Sequence, residues 1–137
     1  MVVVDASVIN KLFLPNEENY EQATKVLDQH LKNLNQIVVP ELLLYEVVNT
    51  LATKSGISFL KIKSTIKDLQ DSNLRIEFVT YDLISKAAIL AKKYKVTVYD
   101  AVYAVLAKEK KCILVTADKK FVEKINLSFV KLLEEYK

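Results

Sequence analysis

Four carboxylates occupy positions poor for solubility and good for chemistry. Asp5 ends the apolar run Val2-Val3-Val4, and Glu46 lies inside Leu42-Leu43-Leu44-Tyr45-Glu46-Val47-Val48. Asp100 opens the run Ala101-Val102-Tyr103-Ala104-Val105-Leu106-Ala107, and Asp118 follows Ile113-Leu114-Val115-Thr116-Ala117. Taking a carboxylate out of water costs several kcal/mol unless it is paired or binds a metal. Few basic residues stand within those runs to neutralise the acids, so the four together point to a cation site. Carboxylate oxygens suit hard ions such as magnesium and manganese.

The scarce residues narrow the chemistry further. The chain has one cysteine, Cys112, and one histidine, His30. It therefore holds neither an internal disulfide nor a thiolate or histidine-rich zinc site. The single glycine, Gly56, excludes the Rossmann fingerprint and the P-loop, which need several. With 137 residues, 51% of them hydrophobic, the chain is long enough for one domain with a proper core, and disorder is not expected. No apolar run approaches the roughly 20 residues of a membrane span. The N-terminus carries no basic stretch before its apolar run, so a cytoplasmic protein without a secretory signal or membrane contact is expected. The net charge is +3. Lysines cluster at Lys92-Lys93, 108–111 and Lys119-Lys120. They read equally as a solvated surface or as a phosphate-tracking patch, with Lys119 and Lys120, next to Asp118, as candidate phosphate contacts.

The acids need elements to hold them. β-branched runs predict strands over 2–4, 37–39, 76–79, 113–115 and 128–132. Helical patterns cover 7–14, 17–33, 41–54, 58–71, 82–94, 100–111 and 119–125. Pro15 and Pro40 mark connections, and Gly56 stands where a helix C-terminal cap would. Apolar strands alternating with helices predict an α/β sandwich: a mainly parallel sheet of about five strands between two helical layers. In the order 3-2-1-4-5, strands one and four meet at the switch point where such sheets bind ligands. Asp5 and Asp118 end those two strands.

Each acid also has a plainer reading. Asp5, Asp100 and Asp118 could each cap the helix that follows. A capping carboxylate at a helix N-terminus stays ionised, so capping and metal binding are compatible. Glu46 is mid-helix, on a polar strip with Asn49, Thr50 and Thr53 that could be an ordinary solvent face. Ser7 and Thr116 stand two residues from Asp5 and Asp118, where hydroxyls can orient a carboxylate or serve local turns. His30, in a charged helix, reads as a surface residue, and Cys112 as a small core residue. Phe59, Ile62, Ile66 and Leu69 follow a 3-4-3 spacing, read as a core stripe or a partner groove.

As a set, the motifs resemble the PIN-domain family. Asp5-Ala6-Ser7-Val8 resembles its opening motif, and Glu46-Val47-Val48-Asn49-Thr50-Leu51 its second. The segment from Tyr99 to Ala107, with Asp100, resembles the third. Leu114-Val115-Thr116-Ala117-Asp118-Lys119-Lys120-Phe121 resembles the fourth. The likeness runs in order over nearly the whole chain, implying a single PIN domain over 1–137, and the compact length is similar to VapC-type toxins of toxin–antitoxin pairs. The resemblance implies a metal-dependent endoribonuclease in which Asp5, Glu46, Asp100 and Asp118 bind one or two Mg2+ or Mn2+ ions, directly or through water. It also implies support of Asp5 by Ser7 and Thr116, with Asn49 near the site. It further implies an RNA substrate, a homodimer, and a VapB-like antitoxin docked on a groove to which Leu43, Phe59, Ile62, Ile66 and Leu69 contribute. Other readings are a housekeeping RNA-processing nuclease of the same fold and a non-catalytic RNA- or protein-binding module. A receiver domain would need an acidic pair after strand one, and a haloacid-dehalogenase-type phosphatase an Asp-x-Asp there. Asp5-Ala6-Ser7 offers neither.

Overall fold

The structure, a computed structural model, describes residues 1–14 and 16–137, and the connection expected at Pro15 lies outside the described residues. The described elements run β1 (Val2–Val4), α1 (Ala6–Phe13), α2 (Tyr20–Leu31), β2 (Ile37–Pro40), α3 (Leu42–Thr53), α4 (Phe59–Asp71), β3 (Arg75–Glu77), α5 (Tyr81–Tyr94), α6 (Val98–Glu109), β4 (Ile113–Thr116), α7 (Lys119–Ile125) and β5 (Val130–Leu132), followed by a 3-10 turn at Leu133–Glu135.

The strands form one parallel sheet in the expected order β3-β2-β1-β4-β5, with the edge strand β3 at Arg75–Glu77, unburied, rather than over the run at 76–79. Val2–Val4 is buried throughout because β1 lies at the centre, between β2 and β4. Pairing of Val4 with Val115 brings the ends of β1 and β4 level, so the residues just beyond them, Asp5 and Asp118, emerge at one edge of the sheet. The connections from β1 to β3 carry α1 to α4, and the return to β4 carries α5 and α6. Right-handed crossovers place these two groups on opposite faces. Helix α6 packs on β1, β2 and β4, and every residue from Ala101 to Ala107 is buried. Its alanines at 101, 104 and 107 let the helix approach the sheet closely.

Four local expectations need correction. Helix α6 begins at Val98 because the Thr97 hydroxyl accepts from the Asp100 backbone N–H at 3.1 Å. Thr97 is therefore the cap, and Asp100 sits inside the first turn. His30 is buried rather than a surface residue. Its Nδ1 accepts from the Ile37 N–H at 3.1 Å, and its Nε2 stands 3.0 Å from the Ser72 carbonyl oxygen. The imidazole thus ties the end of α2 to the start of β2 and the end of α4. Cys112 is half-buried, packed against the core rather than within it. Gly56 takes a left-handed φ of 81° in the turn from α3 to α4, but Lys54 is the C-cap of α3.

Candidate active site

The ends of β1 and β4 open onto a cleft of about 320 Å3, lined by Asp5, Glu46, Asp100 and Asp118 together with Ser7, Asn10, Asn49, Thr50 and Tyr103. Four elements supply the acids. Asp5 is the N-cap of α1, accepting from the Val8 N–H at 3.2 Å. Asp118 is the N-cap of α7, accepting from the Phe121 N–H at 3.0 Å. Asp100 comes from the first turn of α6, and Glu46 from the middle of α3.

Hydroxyls stitch the switch point together. Ser7 donates to Asp5 Oδ1 and accepts from the Ala117 N–H at 2.9 Å, so one side chain joins α1 to the β4 loop. Thr116 is fully buried, and its Oγ1 accepts from the Asp118 N–H at 3.0 Å. Glu46 accepts from the Tyr103 hydroxyl at 2.6 Å. Asn10 donates to Thr50 at 3.3 Å along the α1–α3 wall.

Burial and mutual repulsion disfavour ionisation here. Asp5 is 7% exposed, and burial pushes its carboxyl from 3.8 up to about 6. The hydroxyls of Ser7 and Thr116 and the Val8 N–H pull the other way, and the charge on Asp100 adds a small upward push. Burial likewise raises Glu46, against the Tyr103 hydrogen bond, and Asp100 adds to the rise. Asp100 is raised by burial first and by the charge of Asp118 last, with the Thr97 contact opposing. Burial, then the bond to Glu46, holds the Tyr103 phenol far above its usual range, so it remains a donor. Groups that desolvation and like charge drive upward are what a cation relieves.

The donor set is all oxygen, which fits a hard divalent ion. Among the described residues, however, no three acidic, histidine or cysteine side chains converge closely enough to grip an ion as they stand. Asp5, Asp118 and Glu46 are each turned toward their own hydrogen-bond donor, and the charges repel one another.

Tyr103 and Asn10 are site residues that the sequence reading did not single out. Tyr103 stands three residues after Asp100, on the same helical face, and that spacing could have flagged it. Lys119 and Lys120 are both exposed, and Lys120 lines a second cleft next to the acids. The expected partner groove divides. Leu43 is fully buried and Leu69 is 7% exposed, so both are core residues and supply little docking surface. Ile62 is half-buried against the core. Phe59 and Ile66 are 86% and 42% exposed. Ile66 lies on a groove of about 410 Å3 between α3, α4 and the edge strand β3, with Leu44, Val48 and Ile76.

Residues 2–126 match the family model of the PIN domain. The chain is 32% identical over 127 residues to Ribonuclease VapC3 of Pyrobaculum aerophilum, covering 90% of this chain and 93% of that protein. The fold is similar to that of Mycobacterium tuberculosis VapC20, a sarcin-ricin loop cleaving toxin, with a TM-score of 0.72 at 15% identity, over 95% of this chain and 97% of that one. It is also similar to a chain of VapBC2 from Rickettsia felis, bound to a DNA fragment from its promoter, with a TM-score of 0.71 at 17% identity, over 96% and 98% of the two chains. The family model spans nearly the whole fold, and one relative exceeds 30% identity across it. The chain belongs to the PIN-domain family.

Proposed function

We propose that this chain is a VapC-like toxin, a divalent-metal-dependent endoribonuclease that hydrolyses RNA phosphodiester bonds, acting as a single domain over residues 1–137 in the cytoplasm. One observation carries the reading. Four carboxylates from four elements line one cleft at the switch point of a parallel sheet, where burial raises three of them. Relatedness to Ribonuclease VapC3 supports the activity. Nucleases of this family generally depend on a divalent metal, and the all-oxygen donor set favours Mg2+ or Mn2+ here.

Asp5, Glu46, Asp100 and Asp118 would hold the ion, through water or after side-chain rotation. A bound divalent ion lowers the pKa of water and offsets charge developing on the phosphate. The chain's own residues do the rest. Ser7 and the Val8 N–H fix Asp5 in place. Tyr103 fixes Glu46, whose second carboxylate oxygen stays free for a water or an ion. Asn49 and Asn10, on the cleft wall, offer amide donors to a phosphate or ribose oxygen. No histidine base is required, which suits a chain whose one histidine is buried elsewhere.

The partner in this reading is a VapB-like antitoxin, which would dock on the groove beside α4 by apolar anchors at helical spacing. A homodimer belongs to the same proposal. The test is RNA cleavage with Mg2+ or Mn2+, lost on chelation and abolished in Asp5→Asn and Asp100→Asn proteins that keep the wild-type circular dichroism spectrum. Full activity in either variant refutes the assignment. An antitoxin-like reading frame just upstream separates a toxin from a housekeeping nuclease.

A further inference from the structure

A second cleft, of about 420 Å3, shares Asp100 and Asp118 with the acid site and continues away from it between the α5–α6 connection and α7. Lys95, Lys120 and Lys124 line it. All three are exposed, and among the described residues none forms an ion pair. Other lysines have neutralised heads: Lys110 pairs with Glu77 at 2.9 Å, and Lys86 with Asp82 and Glu109 at 2.7 and 2.9 Å. Lys124 reaches the Lys95 carbonyl oxygen at 3.4 Å, so α7 and the α5–α6 connection close on each other across the cleft.

We infer that this lysine-lined cleft is a phosphate subsite, holding RNA nucleotides to one side of the bond at the acids. The inference rests on the ribonuclease reading for the identity of the strand. Acids repel a polyanion everywhere except through a bound cation, so the attraction that seats the strand must come from beside them. Three unpaired ammonium groups in a cleft continuous with the acids supply it. They also give the strand a direction, running from the acid cleft toward Lys95 and Lys124. Phosphate contacts of this kind position a strand and carry no sequence information.

The test is fluorescence anisotropy with a labelled single-stranded RNA in magnesium, in an Asp5→Asn background to prevent cleavage. Replacing Lys95, Lys120 and Lys124 together by Gln should weaken binding at least tenfold near ~0.1 M salt. The slope of log K against log salt should shrink by about 2, since each lost phosphate contact on a single strand removes about 0.7. A control carrying Lys92→Gln, Lys108→Gln and Lys111→Gln makes the same charge change elsewhere and should weaken binding less than twofold. Unchanged binding in the first triple variant, or equal losses in both, overturns the subsite. So does loss of binding to the cognate antitoxin with RNA binding intact, which would make the lysines a protein contact. Cleavage of the same RNA by the protein with Asp5 intact keeps the two readings distinguishable. Lysine-dependent binding without cleavage supports the subsite and removes the ribonuclease. Cleavage with lysine-independent binding removes only the subsite.

Discussion

Tyr103 decides how firmly Glu46 is held. Glu46 is half-buried on α3, where a free glutamate would still sample several rotamers, and the 2.6 Å bond from a fully buried phenol selects one. A hydrogen bond to a charged group contributes about 1.5–3 kcal/mol, part of which water restores at a half-open site. Tyr103→Phe should therefore weaken Mn2+ binding about 5–10-fold while leaving the fold intact. A Mn2+ titration followed by electron paramagnetic resonance measures this, and an unchanged affinity would reduce Tyr103 to packing. The same change removes a contact that lowers the Glu46 pKa, so the variant should need higher pH to bind metal. His30 is the structural counterpart. Its ring satisfies the Ile37 N–H and the carbonyl end of α4 at once. His30→Ala strands those buried groups and should cost about 2–3 kcal/mol in urea denaturation. A loss below 0.5 kcal/mol, on the order of a surface substitution, would show that water replaces the ring.

At the scale of elements, the α3–α4 hairpin presents two different surfaces. Glu46 and Asn49 face the acid cleft, whereas Leu44 and Val48 join Ile66 and Ile76 in the apolar groove. Phe59, 86% exposed at the start of α4, and Leu60, 78% exposed beside it, leave a large apolar area in water. Isolated exposed hydrophobics are ordinary, but two adjacent ones opening α4, with Ile66 42% exposed two turns on, favour an interaction face on this helix. Phe59→Ala should weaken the complex with the proposed antitoxin partner roughly tenfold or more, since a buried aromatic anchor is often worth about 2 kcal/mol. Cleavage by the free enzyme should not change. Calorimetric titration of the two proteins reads the first quantity and a cleavage assay the second. Equal affinities in wild type and variant would move the interface elsewhere.

For the whole molecule, the acid cleft is a place where stability is given up. Asp5 has its pKa raised from 3.8 to about 6 in the folded state, so between those values the folded protein binds more protons than the unfolded chain. Stability must then fall as pH rises through that window, by at most about 3 kcal/mol from this group. Glu46 and Asp100 shift in the same direction and add to the trend. Metal-free protein should accordingly melt at a lower temperature at pH 7 than at pH 5. Millimolar Mg2+ or Mn2+ should raise the melting temperature at pH 7, by binding the ionised folded form, and do little near pH 4. Thermal melts at three pH values, with and without metal, measure both effects. A melting temperature that rises steadily from pH 5 to pH 7 without metal would contradict the desolvated-carboxylate account.

The order of elements and the parallel sheet were legible in the chain, because buried strands must be continuously apolar and the helices between them must carry a polar face. All four acids stood out for the same reason, being charges inside apolar runs. Asp5 and Asp118 could even be placed, since two strands adjacent at a switch point deliver their ends to the same edge. What the chain did not disclose depends on contacts distant in sequence. Tyr103 reaches Glu46 across 57 positions, Ser7 reaches Ala117 across 110, and His30 reaches Ser72 across 42. A periodicity over a dozen residues describes which face of a helix is apolar, and it made Leu69 and Phe59 look alike. Only the packed sheet and its helices assigned Leu69 to the core and left Phe59 in water. Burial, and with it every raised pKa in the cleft, is a property of what surrounds a side chain in space, which its neighbours along the chain do not fix.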